Sequence, residues 1–299
     1  MPPTFLVTNS ASHASRNRAF SNHVVQTAHQ KCLLSHVIMK KQMKQVTHSK
    51  RDITPATNRK LIIIDWDDTL NPSTWCLKNG VLTVRQPTQK ELQSLRELSL
   101  LVVNTLKKCM QHGLLVIVTN AEAGWVEASS RTLLPDVYSL LGSIPVISAR
   151  STFESLVRDA PSLWKAMTFS RVVSEWSESL GEDLLLGDEL PDVLSIGDAQ
   201  HEREALFHIC AQHEVKFRSK SIKLMERPTI DDLKKQHLAI VDKLDAVTSS
   251  SSVVDICYYD GDFVDYPSHT TQPRPHTIPA QKRSRARFGS PQRLVYSHS

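Results

Sequence analysis

The chain has 299 residues, 40% of them hydrophobic, with 36 Lys and Arg against 31 Asp and Glu and a net charge of +5. This is lean for one domain of the full length and fits one folded unit between polar ends. Residues 1–60 hold ten basic side chains and one acid (Asp52), whereas residues 61–247 hold 20 basic and 26 acidic ones, so nucleic-acid binding by the central region is not expected.

Five cysteines lie far apart with no C-x-x-C pair, which excludes a disulfide framework or a thiolate zinc site and points to a reducing compartment, cytoplasmic or nuclear. Residues 1–51 contain no acid and many serines, which is also how mitochondrial presequences look, although only Arg16 and Arg18 supply arginine there. No apolar run approaches the ~20 residues of a membrane span, so no transmembrane segment is expected.

In chain order, residues 1–58 read as a disordered basic arm, broken by a short apolar patch at Leu33–Met39. Leu61–Asp65 is an Ile-rich run of the kind that forms a buried parallel strand. Thr88–His112 has helical spacing (Leu92, Leu95, Leu98, Val102, Leu106) and stops at Gly113. Leu114–Val118 is a second strand, 123–134 a helix and Pro145–Ser148 a weak third strand. Pro161 opens a helix carrying Trp164, Met167, Val172 and Trp176. Val193–Ile196 is a fourth strand, followed by a helix over Gln200–His213, a last strand at Ser221–Met225 and a helix over 230–246. From Thr248 a serine run, the prolines Pro267, Pro273, Pro275 and Pro279 and the basic stretch Lys282–Arg287 read as disordered tail. The segment CYYDGDFVDY within it is taken as solvated linker in preference to an edge strand or a partner contact. The expected organisation is therefore an arm (1–58), a folded domain (59–247) and a tail (248–299). Strands alternating with helices give the fold class: α/β, a Rossmann-like, mostly parallel sheet with helices on both faces.

In such sheets the chemistry collects at the carboxyl ends of the strands. Strand one runs into Asp65-Trp66-Asp67-Asp68-Thr69, strand two ends in Thr119-Asn120, and strand four ends in Gly197-Asp198 with Glu202 four residues on. Crowded carboxylates repel unless a hard cation joins them, and oxygen ligands suit Mg²⁺. A carboxylate held beside Mg²⁺ and a lysine can attack a phosphoryl group, because the cations remove the repulsion between two anions.

These residues resemble the haloacid dehalogenase superfamily of phosphotransferases. LIIIDWDDTL is similar to its D-x-D-x-T motif, LLVIVTN to its strand ending in Thr or Ser, Lys165 in PSLWKAMTF to its basic residue, and VLSIGDAQHE to its Gly-Asp motif with a following acid. The resemblance spans about residues 60–230 and keeps the family's order. It implies Asp65 as the nucleophile that forms an aspartyl-phosphate and Asp67 as general acid, then base. It implies Mg²⁺ held by Asp65, the Asp67 backbone carbonyl and Asp198, with Glu202 as direct or water-mediated support. Thr119 would hydrogen-bond the phosphoryl oxygens and Lys165 would neutralise charge. Arg150 and Arg158 lie in the same interval as Lys165, so the identity of the basic residue stays open.

Other acids have simpler readings: Asp68 as a solvated or turn carboxylate, and Asp188, Glu189 and Asp192 as a solvated loop. Trp66 is expected to pack, and the Gly before Asp198 to allow close approach of a ligand. Fewer than twenty residues separate Thr69 from the helix at Thr88, enough for a hairpin flap (Pro72, Trp75, Leu77, Val81) with Trp75 as shield but not for a folded cap. An open site suits a large substrate that itself excludes water, such as a phosphoprotein or a nucleic-acid end. The expected function is a Mg²⁺-dependent phosphatase, with basic arms that attract an acidic partner. The rival is a weak or inactive scaffold on the same fold, using its arms.

Overall fold

The computed structural model describes residues 59–180 and 189–267. The basic arm, Asp188 and the tail beyond residue 267 lie outside the described residues. Seven strands form one sheet: β1 (Lys60–Ile64), β2 (Leu114–Thr119), β3 (Val146–Ser148), β4 (Asp192–Gly197), β5 (Arg218–Lys223), β6 (Val254–Tyr259) and β7 (Asp262–Asp265), in the order β3-β2-β1-β4-β5-β6-β7. All neighbours pair parallel except β6 and β7. The described helices are α1 (Ser73–Lys78), α2 (Gln89–His112), α3 (Trp125–Leu133), α4 (Pro135–Leu141), α5 (Ala149–Phe153), α6 (Pro161–Ser179), α7 (Gln200–Gln212) and α8 (Ile230–Ser249). The fold is α/β with a Rossmann-like strand order.

β1 shows why the sheet is covered on both faces. Successive strand residues point to opposite sides, and every residue from Leu61 to Ile64 is apolar and buried. Ile62 and Ile64 join the core beneath α2, α3, α4 and α8, while Leu61 and Ile63 join the core beneath α5, α6 and α7. On the first face His237 of α8 meets the Thr105 hydroxyl of α2 at 2.9 Å, and burial pushes this imidazole down to about 4. From β1 the chain moves outward through β2 and β3, then returns to lay β4 on the other side of β1. The strand order therefore reverses between β1 and β4, which is where a parallel sheet opens a crevice at its carboxyl edge.

Four expectations change. β5 lies over Arg218–Lys223 instead of 221–225, because its residues RSKSIK conceal a buried strand behind charge. Lys220 is fully buried, and its Nζ donates to Asp192 Oδ2 (2.8 Å), the Thr248 carbonyl (3.2 Å) and the Ser250 carbonyl (2.8 Å). Asp192 is accordingly buried at the start of β4 and also takes Arg218 at 2.6 Å, so it is no solvated loop residue; Glu189 is exposed. An ammonium that satisfies carbonyls at the C-terminal end of α8 also opposes the negative end of that helix. Asp192→Ala strands this buried charge, and we expect a loss of about 3–5 kcal/mol in stability. Urea unfolding of the single variant against Asp192→Ala with Lys220→Met, which should recover part of the loss, checks it.

Second, the folded domain continues past residue 247. Strand β6 pairs with β5, and Asp260-Gly261 (φ 48° and 96°) turns it into β7. Both central residues have positive φ, the requirement of a type I′ hairpin turn that Asp-Gly fulfils. Arg203 of α7 anchors the hairpin through Asp255 and lies 3.9 Å from the Tyr266 ring centroid. Third, the segment after Thr69 is no hairpin flap but the short helix α1 and a turn. Trp75 and Val81 pack on the core and leave Leu77 exposed. Fourth, the helix expected over 123–134 is present as α3, and an unexpected helix, α4, follows it with Pro135 at its start. Among the described residues no helix is long and apolar enough to cross a membrane.

Candidate active site

The loops after β1, β2 and β4 and the first turns of α6 converge at the strand-order reversal. The backbone N–H of Asp65 donates to the Ile196 carbonyl at 3.0 Å, which extends the β1–β4 pairing by one residue and fixes the carboxylate beside β4. Lys165 projects from α6 and is fully buried. Its Nζ donates to Asp65 Oδ1 and to the Val118 carbonyl (2.6 Å), and it lies 3.2 Å from Glu202 Oε1. Lys165 is therefore the cation beside Asp65. Arg150 pairs instead with Glu154 and Glu122, and Arg158 is exposed.

Glu202 is bound on every side. Oε1 faces Lys165 and His201 (3.1 Å), while Oε2 accepts the Ala199 N–H at 2.8 Å. A Cβ on Gly197 would stand 2.8 Å from Oε2, so this glycine admits the Glu202 carboxylate. The close approach expected of a ligand at Gly197 is made by Glu202. The geometry makes Glu202 a positioning residue for Lys165, with partners already on both of its carboxylate oxygens.

Asp67 is half-buried and gripped by three donors. Oδ1 accepts from the Ser73 hydroxyl and from Trp125 Nε1 (2.8 Å), and Oδ2 accepts from Thr119 Oγ1 (3.0 Å). Thr119 Oγ1 also accepts the Ala121 N–H at 2.9 Å, so this hydroxyl serves the site and caps no helix. Thr69 ties the first loop to the third: its Oγ1 accepts the Asp198 N–H (3.1 Å) and reaches Asp198 Oδ1 at 3.5 Å. Lys223 donates to the Asp198 backbone carbonyl. Asp68 is a turn residue with φ 56°, but it is buried, and its Oδ1 accepts the Thr74 N–H at the start of α1. Trp66 packs as expected, its Nε1 held by Ser129 Oγ of α3 at 3.0 Å.

One buried ammonium serves too many carboxylates. Lys165 stays charged, because Asp65 and Glu202 overcome the burial that opposes its charge. Glu202 falls to about 2 despite burial, through Lys165 and His201. Asp65 stays high, near 7, because burial outweighs Lys165 and the charges of Glu202 and Asp67 add to it. Asp198 is pushed up to about 8 by burial, then by the negative charges of Asp65, Glu202 and Asp68. Among the described residues no group of three or more His, Cys, Asp or Glu side chains is arranged to hold a metal. Asp65 and Asp198 remain as two under-compensated carboxylates, and one or two carboxylates with water are what Mg²⁺ takes from a protein.

Sequence reasoning missed Ser73, Trp125, His201 and Lys223. Ser73 follows Thr69 by four residues, Trp125 follows Thr119 by six and His201 follows Asp198 by three, and only that placement marked them. Compared with known proteins, the chain matches no family model, no curated protein and no solved structure.

Proposed function

We propose that the protein is a phosphate monoester hydrolase of the haloacid dehalogenase type, working with Mg²⁺ and an aspartyl-phosphate on Asp65. The observation that carries this reading is the contact of Asp65 with a fully buried Lys165 at the strand-order reversal, with Asp67 two residues on held by Thr119. Mg²⁺ would be held by Asp65, Asp198 and the Asp67 backbone carbonyl, where it would offset carboxylate charge and draw charge from the phosphoryl oxygens.

In the first half-reaction an Asp65 oxygen attacks phosphorus, the bond to the leaving oxygen breaks, and Asp67 gives that oxygen its proton. In the second, Asp67 takes a proton from water, the water oxygen attacks phosphorus, and the Asp65–phosphorus bond breaks. The sum is ester plus water to alcohol plus phosphate. Lys165 offsets part of the cost of ionising the buried Asp65, and Glu202 holds Lys165. Two of the three donors on Asp67 are hydroxyls, which can turn to accept, whereas the indole N–H only donates. Ser73 and Thr119 can therefore accommodate both protonation states of Asp67.

Between Asp67 and α2 the described chain supplies one six-residue helix whose Trp75 turns inward, which supports a bulky substrate that completes the enclosure. Phosphopeptides, sugar phosphates and nucleoside monophosphates assayed with Mg²⁺ and with chelator test both statements. We expect turnover only with Mg²⁺ and the highest kcat/KM on phosphopeptides. Mg²⁺-independent turnover refutes the metal assignment, and a sugar phosphate ahead by a wide margin refutes the bulky substrate.

A further inference from the structure

We propose that Trp125 selects aryl phosphate monoesters, of which a tyrosine phosphate in a peptide is the macromolecular form. This rests on the hydrolase reading of the same site. Trp125 is the first residue of α3, and Trp66 fixes that helix through Ser129 at 3.0 Å. Of the five tryptophans, Trp66, Trp164 and Trp176 are 4% exposed or less and Trp75 packs on the core, whereas Trp125 is 37% exposed. Its N–H is committed to Asp67 Oδ1 at 2.8 Å, so the position of the indole is set by the residue that must protonate the leaving group.

A leaving oxygen can take that proton only within hydrogen-bond reach of Asp67. The group attached to that oxygen then arrives beside the indole. A planar, apolar leaving group covers exposed aromatic surface there and gains an aromatic contact, while a sugar or a seryl methylene offers no aromatic face. The other donors on Asp67, Ser73 and Thr119, are small hydroxyls and discriminate no leaving group by area.

The test measures binding and turnover separately. Affinities of phenylphosphonate and methylphosphonate are measured by calorimetry with Mg²⁺ for the parent, Trp125→Phe and Trp125→Leu. Phosphotyrosine and phosphoserine peptides of one sequence, together with phenyl phosphate, are assayed on the same proteins. We expect the parent to prefer phenylphosphonate by roughly 3- to 10-fold. Trp125→Phe keeps that preference without the N–H, and Trp125→Leu loses it. The ratio of phosphotyrosine to phosphoserine kcat/KM should fall equally in Trp125→Leu only, since the intrinsic reactivity of each ester is common to parent and variant. A fall for phenyl phosphate without one for the phosphotyrosine peptide assigns the site to free aryl phosphates. Equal affinity of the parent for both phosphonates, or an equal loss for both in Trp125→Leu, overturns the proposal. A phenylphosphonate preference with no ester hydrolysed would instead leave the ring contact standing and refute the hydrolase reading.

Discussion

Asp65→Asn is expected to lower kcat/KM on every phosphate monoester by about 10⁴-fold or more, the scale on which removal of a covalent nucleophile acts. The side chain keeps its shape, and its Oδ1 still accepts from Lys165. Folding should not suffer. Burial holds the Asp65 carboxyl near 7, well above its ordinary value, so its charge is poorly solvated where it stands. A neutral isostere removes that cost, and the variant should melt no lower than the parent. Activity lost with thermal stability kept separates a chemical role from a packing role. Turnover equal to the parent on phenyl phosphate would remove Asp65 from the mechanism.

Lys165→Met carries the second largest effect, and it acts on both stability and rate. Asp65 and Glu202 would remain buried without their shared cation, and removal of one partner of a buried pair costs about 3–5 kcal/mol. The rate effect has a sign that pH reveals. The nucleophile must be ionised, so kcat/KM rises with pH through the Asp65 titration. Burial raises that titration well above the ordinary carboxylate range, and Lys165 lowers it in part. Mg²⁺ favours the anion further and moves the acid limb of the parent to lower pH. Without Lys165 the carboxyl rises, so the acid limb of the variant should lie more alkaline than that of the parent at the same Mg²⁺. We expect kcat at pH 6 to fall by roughly 10²-fold or more and to recover in part at pH 9. An acid limb unchanged by the substitution would mean that Lys165 does not set the charge on Asp65.

The sequence was most legible where burial and periodicity agree. Leu61–Ile64 reads as a strand because all four residues are apolar, and it supplies both cores for the same reason. β5 was misplaced because Lys220 looks solvent-facing until Asp192 and two helix-end carbonyls surround it, and those partners lie 28 to 30 residues away. The β6–β7 hairpin had a readable turn in Asp260-Gly261, but the serine run before it and the prolines after it outweighed that signal. In the site, Asp65, Asp67, Thr119 and Asp198 lie at or just past strand ends, so their convergence follows from a parallel sheet. Lys165 sits on a helix, where spacing from the motifs does not distinguish it from Arg150 or Arg158. Trp125 meets Asp67 across 58 residues of sequence, and an indole donor has no local pattern that announces it.

In the proposed mechanism phosphorus becomes bonded to Asp65. Acid-quenched protein, taken during turnover of phenyl phosphate with Mg²⁺ and reduced with borohydride, converts an aspartyl-phosphate to homoserine at the position that carried it. Peptide mapping should find homoserine at position 65 in the parent, none there when Mg²⁺ is withheld, and none in Asp65→Asn. Homoserine at Asp67 or Asp198, or hydrolysis at full rate with an unmodified Asp65, would contradict the account.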